Sequence, residues 1–161
     1  MSSKIVELEE LSNRCEKLRY AGKKIVATNG CFDLLHVGHV RYLQAARALG
    51  DLLVVGLNAD RSVVELKGVG RPITTQHDRA EILAALECVD LVTVFPELRA
   101  ARFLAAVRPA VYVKGGDYTP RTLDEEELTI LKEIEAAIHL IPFETGYSTS
   151  GLIEQICKAR S

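Results

Sequence analysis

No stretch of the 161-residue sequence is apolar for long enough to span a bilayer, and the N-terminus, MSSKIVELEELS, lacks the apolar core of a secretory signal. A cytoplasmic location without membrane association is therefore expected. Charge of neither sign dominates, since 20 Lys and Arg face 22 Asp and Glu for a formal net charge of -2. That balance gives no bulk attraction to nucleic acid or anionic lipid, so any affinity for phosphate has to be local. The four cysteines, Cys15, Cys31, Cys88 and Cys157, are scattered with no C-x-x-C pair, which argues against a disulfide framework or a thiolate zinc cluster and for reduced thiols. There is no G-x-x-x-x-G-K-[ST], and no G-x-G-x-x-G follows the first apolar run; Gly68-x-Gly70 lacks the third glycine. Both absences count against a P-loop kinase and an ordinary dinucleotide dehydrogenase. Internal repeats and low-complexity tracts are also missing.

What is present reads as one domain over residues 1–161, with residues 1–22 contributing an N-terminal helix packed on it. The 48% apolar and 26% charged fractions are those of an ordinary globular chain. Leu8, Leu11, Cys15 and Leu18 share a helical face, and Ile25–Ala27 is a short apolar strand. Val40, Leu43 and Ala46 give helical spacing stopped at Gly50, and LLVVGL at 52–57 reads as a strand buried on both faces. A short helical pattern from Arg61 leads into a glycine-rich loop that carries Lys67 and Arg71 and is expected to be mobile. Thr75 can cap a helix over 76–87 that buries Ile82, Leu83 and Leu86. A strand at 91–95, a helix at 98–107 stopped by Pro109, and a strand at 111–113 follow. Thr122 with Glu125 has capping-box spacing, and Asp124 to Glu127 reads as a solvated first turn. A strand at 138–143 and a terminal helix with Leu152, Ile153 and Ile156 inward complete the chain. This alternation predicts an α/β fold, a Rossmann-like, doubly wound sheet of about five parallel strands with helices on both faces. Ligands bind such sheets at strand C-terminal ends, where the loops Asn29 to His39, Lys114 to Asp117 and Gly146 to Ser150 are expected to converge.

The first of those loops holds the most chemistry. His36 and His39 flank a helix start, where free N–H groups favour anions. Three readings fit the pair at this point: zinc ligation with Asp33 as a neighbouring hard ligand, packed or capping imidazoles, and donation to phosphate oxygens. Cys31 is either a nucleophile served by His36 or a small packed residue.

The run GCFDLLHVGH resembles the H-x-G-H signature of the nucleotidyltransferase superfamily of cytidylyltransferase-like α/β enzymes, and Tyr147-Ser148-Thr149-Ser150 is similar to its second signature, I-S-T-T. LKGVGRP at 66–72, DRAEILAALECVD at 78–90 and VKGGDY at 113–118 resemble the adenylyltransferase domain of the bacterial heptose-phosphate pathway, a likeness running from Lys23 to about Lys158. It implies ATP and D-glycero-D-manno-heptose 1-phosphate giving ADP-heptose and pyrophosphate, a lipopolysaccharide inner-core precursor. It implies Mg²⁺ carried by the triphosphate rather than by a protein cage. A homodimer is expected, with a separate sugar kinase upstream, the chain having no room for the kinase domain fused in some members. By resemblance, His36, His39 and Lys67 are catalytic, and Ser148 and Thr149 hold the β- and γ-phosphates. Backbone N–H groups of Cys31 and Phe32 stand nearby, and Arg79 adds positive charge. Asn29, Gly30, Gly38, Gly115, Gly116, Asp117, Phe143 and Gly146 complete the nucleotide site, while Asp33, Arg71 and Lys114 are candidates for the sugar phosphate.

Two departures bear on the nucleotide. Glycerol-phosphate cytidylyltransferases carry an arginine in R-T-E-G-I-S-T where this chain has Phe143-Glu144-Thr145-Gly146, and R-Y-V-D-E-V where it has Glu87 to Val92. Both favour the adenylyltransferase branch. A cytidylyltransferase acting on glycerol 3-phosphate or another small phosphate is the nearer alternative, and a non-catalytic nucleotide sensor the more distant one.

Overall fold

The computed structural model describes residues 2–116, 123–142 and 144–160. Its elements in chain order are α1 (Leu8–Tyr20), β1 (Ile25–Gly30), α2 (Val37–Arg47), β2 (Leu52–Asn58), α3 (Asp60–Lys67), α4 (Gln76–Ala85), β3 (Leu91–Phe95), α5 (Ala101–Val107), β4 (Val111–Gly115), α6 (Glu125–Glu133), β5 (Ala137–Ile141) and α7 (Thr149–Lys158). The strands form one sheet in the order β3-β2-β1-β4-β5, and every pairing is parallel. The chain steps outward from β1 to β3, then crosses back to β4, so the direction of winding reverses between β1 and β4. The Rossmann-like, doubly wound expectation holds.

Alternation along the strands divides the apolar residues between two cores. Leu52 and Val54 face α1, α5 and α6, where Leu11, Cys15, Phe103, Leu104 and Leu131 are buried. Leu53, Val55 and Leu57 face Leu43 and Ala46 of α2 and Ala80, Leu83 and Ala84 of α4. β2 is buried throughout, which is why its sequence reads as one apolar run. Gly56 is the exception that packing demands: a Cβ there would lie 3.0 Å from the Phe103 ring. Ahead of α1 the chain bridges to the sheet edge, Val6 N–H donating to Val92 O at 2.9 Å.

Several boundaries differ from the sequence expectation, each for a local reason. Thr75 caps α4 as expected, accepting from Asp78 N–H at 3.2 Å. The inward stripe of α4, however, is Arg79, Ala80, Leu83 and Ala84, and Ile82 points outward at 45% exposure. The helix ends at Ala85 because Leu86 is extended. α5 starts at Ala101, three residues later than expected, with Leu98 in the turn before it. α6 is capped by Asp124, whose carboxylate accepts from Glu126 and Glu127 N–H, while Thr122 lies outside the described residues. Glu127 is not solvated: it is buried and accepts from Ala100 N–H at 2.7 Å, placing a carboxylate at the head of α5. α7 has no fully buried residue; Leu152 and Ile153 are half-buried and Ile156 is exposed.

Candidate active site

The loops after β1 and β5 bring the heads of α2 and α7 together. Phe32 turns the first loop at φ 43°, a left-handed backbone that costs a non-glycine residue about 1–2 kcal/mol. Its ring covers Gly30, where a Cβ would lie 3.0 Å away. His36 then caps α2, with extended backbone, and His39 sits one turn in. The two imidazoles stack at 3.9 Å between centroids, and Phe32 lies 5.5 Å from His39. Gly38 is required between them and the second loop, since a Cβ would come within 3.0 Å of both the His36 ring and Tyr147 Cβ. On the facing side Ser148 caps α7, accepting from Gly151 N–H at 2.9 Å, and Thr149 Oγ1 donates to Leu34 O at 3.3 Å. Two sets of free helix N–H groups therefore border one space at the C-terminal edge of the sheet.

Electrostatics define what the imidazoles offer. Burial, reinforced by the neighbouring His36, pushes His39 down to about 4, and burial lowers His36 as well. His39 Nδ1 accepts the His36 N–H at 3.4 Å, which leaves the proton on Nε2. His36 Nδ1 is buried without a hydrogen-bond partner. The arrangement is a neutral donor beside two helix heads, suited to oxygens carrying developing charge. Rings stacked at 3.9 Å and 29° hold their in-plane lone pairs in separate, slightly inclined planes. Among the described residues, no group of three or more His, Cys, Asp or Glu is placed to hold a metal ion. Zinc chelation by the pair is not favoured by this geometry.

Other expected site residues fall into two groups. Asp33 is sealed, its side chain 1% exposed, and its carboxylate accepts from Arg71 Nε at 2.5 Å, Ile73 N–H at 2.8 Å and Thr74 N–H at 3.1 Å. These bonds hold its carboxyl below the usual range against the opposing effect of burial. Asp33 is thus a tie between the α2 loop and the segment before α4, and Arg71 is oriented by it through Nε. Arg79, expected to face phosphate, is likewise committed inward. Its side chain is fully buried and donates to Thr74 O at 3.1 Å, Cys31 O at 2.5 Å, Asn58 O at 3.0 Å and Asp60 Oδ1 at 2.7 Å. Cys31 is half-buried and burial pushes its thiol up, which disfavours a nucleophilic thiolate.

Asn29 accepts from Tyr112 OH at 2.6 Å, and Lys114, nearly buried at the end of β4, lies 5.6 Å over the Tyr112 ring. Burial lowers Lys114, opposed by the Glu127 carboxylate. Gly115 ends β4, and Gly116 N–H donates to Ile141 O at 3.0 Å. Lys67 is exposed at the end of α3, followed by Gly68 and Gly70, both at positive φ, and by the 99% exposed Val69 between them. The loop expected to be mobile is therefore tied at Arg71 and open at 68–70. Asp117 and Phe143 lie outside the described residues. Sequence reasoning missed Arg41, which is ion-paired with Glu144 and stands 5.7 Å over the Tyr147 ring. Its signal was its place one turn after Val37, since helix side chains lean toward the N-terminus.

The cytidylyltransferase-like family model matches residues 27–155, a span holding both loops. The chain belongs to that family. Its members are nucleotidyltransferases, and the chain is one of them. Curated relatives named bifunctional protein HldE include one from Geobacter metallireducens, 47% identical over 98% of this chain and 32% of the relative. Another, from Helicobacter pylori, is 52% identical over 95% of this chain and 31% of the relative. The chain thus spans about a third of the length of these relatives. The lipopolysaccharide core biosynthesis protein from Thermoplasma volcanium has a similar structure, with TM-score 0.63 and 26% identity, covering 79% of this chain and all of that one. Pantoate-beta-alanine ligase from Francisella tularensis, solved with an ATP analogue and beta-alanine, shares the fold at TM-score 0.57 and 16% identity over 93% of this chain and 70% of that one. Among the described residues, no helix is long and apolar enough to cross a membrane.

Proposed function

We propose that the chain transfers AMP from ATP to D-glycero-D-manno-heptose 1-phosphate, releasing pyrophosphate and ADP-heptose. A sugar-phosphate oxygen forms a bond to the α-phosphorus, the bond from that phosphorus to the α,β-bridging oxygen breaks, and the electron pair leaves on pyrophosphate. No general base is needed, because a phosphate monoester with a second pKa of about 6 is already mostly a dianion at neutral pH. The work left to the protein is alignment and stabilisation of charge.

The observation that carries this reading is the stacked His36 and His39 pair at the head of α2, set against the head of α7 through Gly38, Tyr147 and the Thr149 to Leu34 bond, with burial lowering both imidazoles. His39 and His36 donate to the crowded α-phosphate and the departing bridge oxygen, while Ser148, Thr149 and the α7 N–H groups hold the β- and γ-phosphates. Lys67, on its open loop, adds charge as the site closes. A Mg²⁺ ion carried by the triphosphate, rather than by a protein cage, would supply charge neutralisation there. The Asp33 carboxylate is engaged by Arg71, Ile73 and Thr74 and serves to tie the loop. The heptose acceptor rests on the motif resemblance, supported by the names of the HldE relatives and of the lipopolysaccharide-core neighbour.

A pyrophosphate-release screen pairing ATP and CTP with heptose 1-phosphate, glycerol 3-phosphate and other small phosphates tests the reading. ATP with heptose 1-phosphate is expected to dominate, with ATP favoured over CTP by roughly tenfold to a hundredfold in kcat/KM, the usual worth of one base-reading hydrogen bond. Equal use of the two nucleotides, or a preference for CTP with glycerol 3-phosphate, overturns it. Tight nucleotide binding without turnover on any acceptor instead supports the sensor alternative.

A further inference from the structure

Arg41 is the fifth residue of α2, and its side chain leans back over the first turn toward Tyr147, the residue just before the Ser148 cap of α7. The guanidinium carbon stands 5.7 Å from the Tyr147 ring centroid, and the same ring stacks with His36 at 6.4 Å and 24°. A positive charge is thus stationed against Tyr147, the residue just before the Ser148 cap. Its partner is Glu144, in the loop that leads to those hydroxyls.

This ion pair differs from the others around the site. Arg79 has a fully buried side chain, and Arg71 is held by an Asp33 side chain that is 1% exposed. Arg41 and Glu144 have side chains 53% and 41% exposed. An exposed pair is worth little and is readily exchanged, whereas a planar guanidinium binds the paired oxygens of a polyphosphate in the same forked geometry and with more opposing charge. We propose that Arg41 is a further binding residue for the β- and γ-phosphates, exchanging Glu144 for phosphate oxygens at the head of α7 when the nucleotide docks. The proposal rests on the nucleotidyltransferase reading of the two helix heads. Glu144 acts as a competitor that keeps Arg41 ordered without ligand and gives it up to a stronger anion.

Calorimetric titration of Mg-ATP, and separately of pyrophosphate, into the full chain and its Arg41→Ala, Arg41→Lys and Glu144→Gln variants tests this, with circular dichroism confirming that each is folded. Arg41→Ala is expected to weaken both ligands about three- to tenfold, less at high salt, with Arg41→Lys in between. Glu144→Gln is expected to bind both as tightly as the parent or up to about threefold tighter, because the competing carboxylate is gone. If Glu144→Gln loses as much affinity as Arg41→Ala, the pair merely fastens the loop and the proposal fails. Unchanged pyrophosphate affinity in Arg41→Ala also overturns it. Failure of the parent chain to bind either ligand would sink the nucleotidyltransferase reading itself, and this inference with it.

Discussion

Replacing Arg79 by methionine, which keeps most of the volume and removes the charge and donors, should cost stability rather than act on the chemistry directly. The guanidinium donates to carbonyls at residues 31, 58 and 74 and to the Asp60 carboxylate, so it joins the loops after β1 and β2 to the turn before α4. Removing one partner of a buried charged network typically costs about 3–5 kcal/mol, because the groups left behind stay desolvated and unpaired. Asp60 is 40% exposed and rehydrates, so most of the cost falls on the carbonyls. For a chain of this size each kcal/mol lowers the melting temperature by about 2–4 °C, which gives a drop of about 6–20 °C. Urea unfolding with a fluorescence or circular dichroism readout measures the loss, and Asp60→Asn, which keeps an acceptor at that position, serves as comparison with a smaller expected cost. A variant within 1 kcal/mol of the parent that has lost a hundredfold in kcat/KM would refute the reasoning, and would return Arg79 to the phosphate role its sequence context suggested.

His39→Ala should lower turnover by roughly 10² to 10³ with an unchanged circular dichroism spectrum, and His36→Ala somewhat less, as expected for losing single preorganised donors; release of a stoichiometric metal from either variant would contradict this. The pH dependence follows from the lowered His39. Its folded value of about 4 lies below the ordinary 6.5, so the unfolded chain takes up the proton first, and stability contributed by the neutral ring is complete above 6.5 and declines as pH falls toward 4. Turnover near pH 6 should then follow ionisation of the acceptor phosphate, and His39→Gln should lower the profile without moving its acid limb; a limb that disappears in that variant assigns the proton to His39. Lys67→Ala should reduce kcat/KM by about tenfold and change stability by less than about 0.5 kcal/mol, and cleavage in the 68–70 segment should slow when Mg-ATP is added; equal cleavage rates would deny the loop a closing role.

The strands were legible because burial on both faces of a parallel sheet writes continuous apolar runs, of which LLVVGL is the plainest. Thr75 was legible as a cap because capping is decided within four residues. The errors share the opposite property. Glu127 sits in an acidic run that local rules assign to solvent, yet its partner is an N–H of residue 100, delivered by another helix. An apolar Ile82 reads as inward by local pattern, whereas the stripe actually inward is fixed by Arg79 reaching three carbonyls that no local pattern connects.

The site divides along the same line. The imidazoles and the α7 hydroxyls occupy fixed offsets from two helix starts, so their meeting could be anticipated from the motifs and the parallel topology. Whether a basic or acidic side chain near them faces a ligand depends on what else claims it. Asp33 could have served a metal, a sugar phosphate or a loop, and donors at 71, 73 and 74, about forty residues away, assign it to the loop. Those donors also orient Arg71 through Nε and anchor one end of the Lys67 loop, so one buried carboxylate orders two neighbouring segments together. A charge so placed cannot be removed quietly: the segment that delivers Lys67 and the turn that delivers His36 are registered against each other through it.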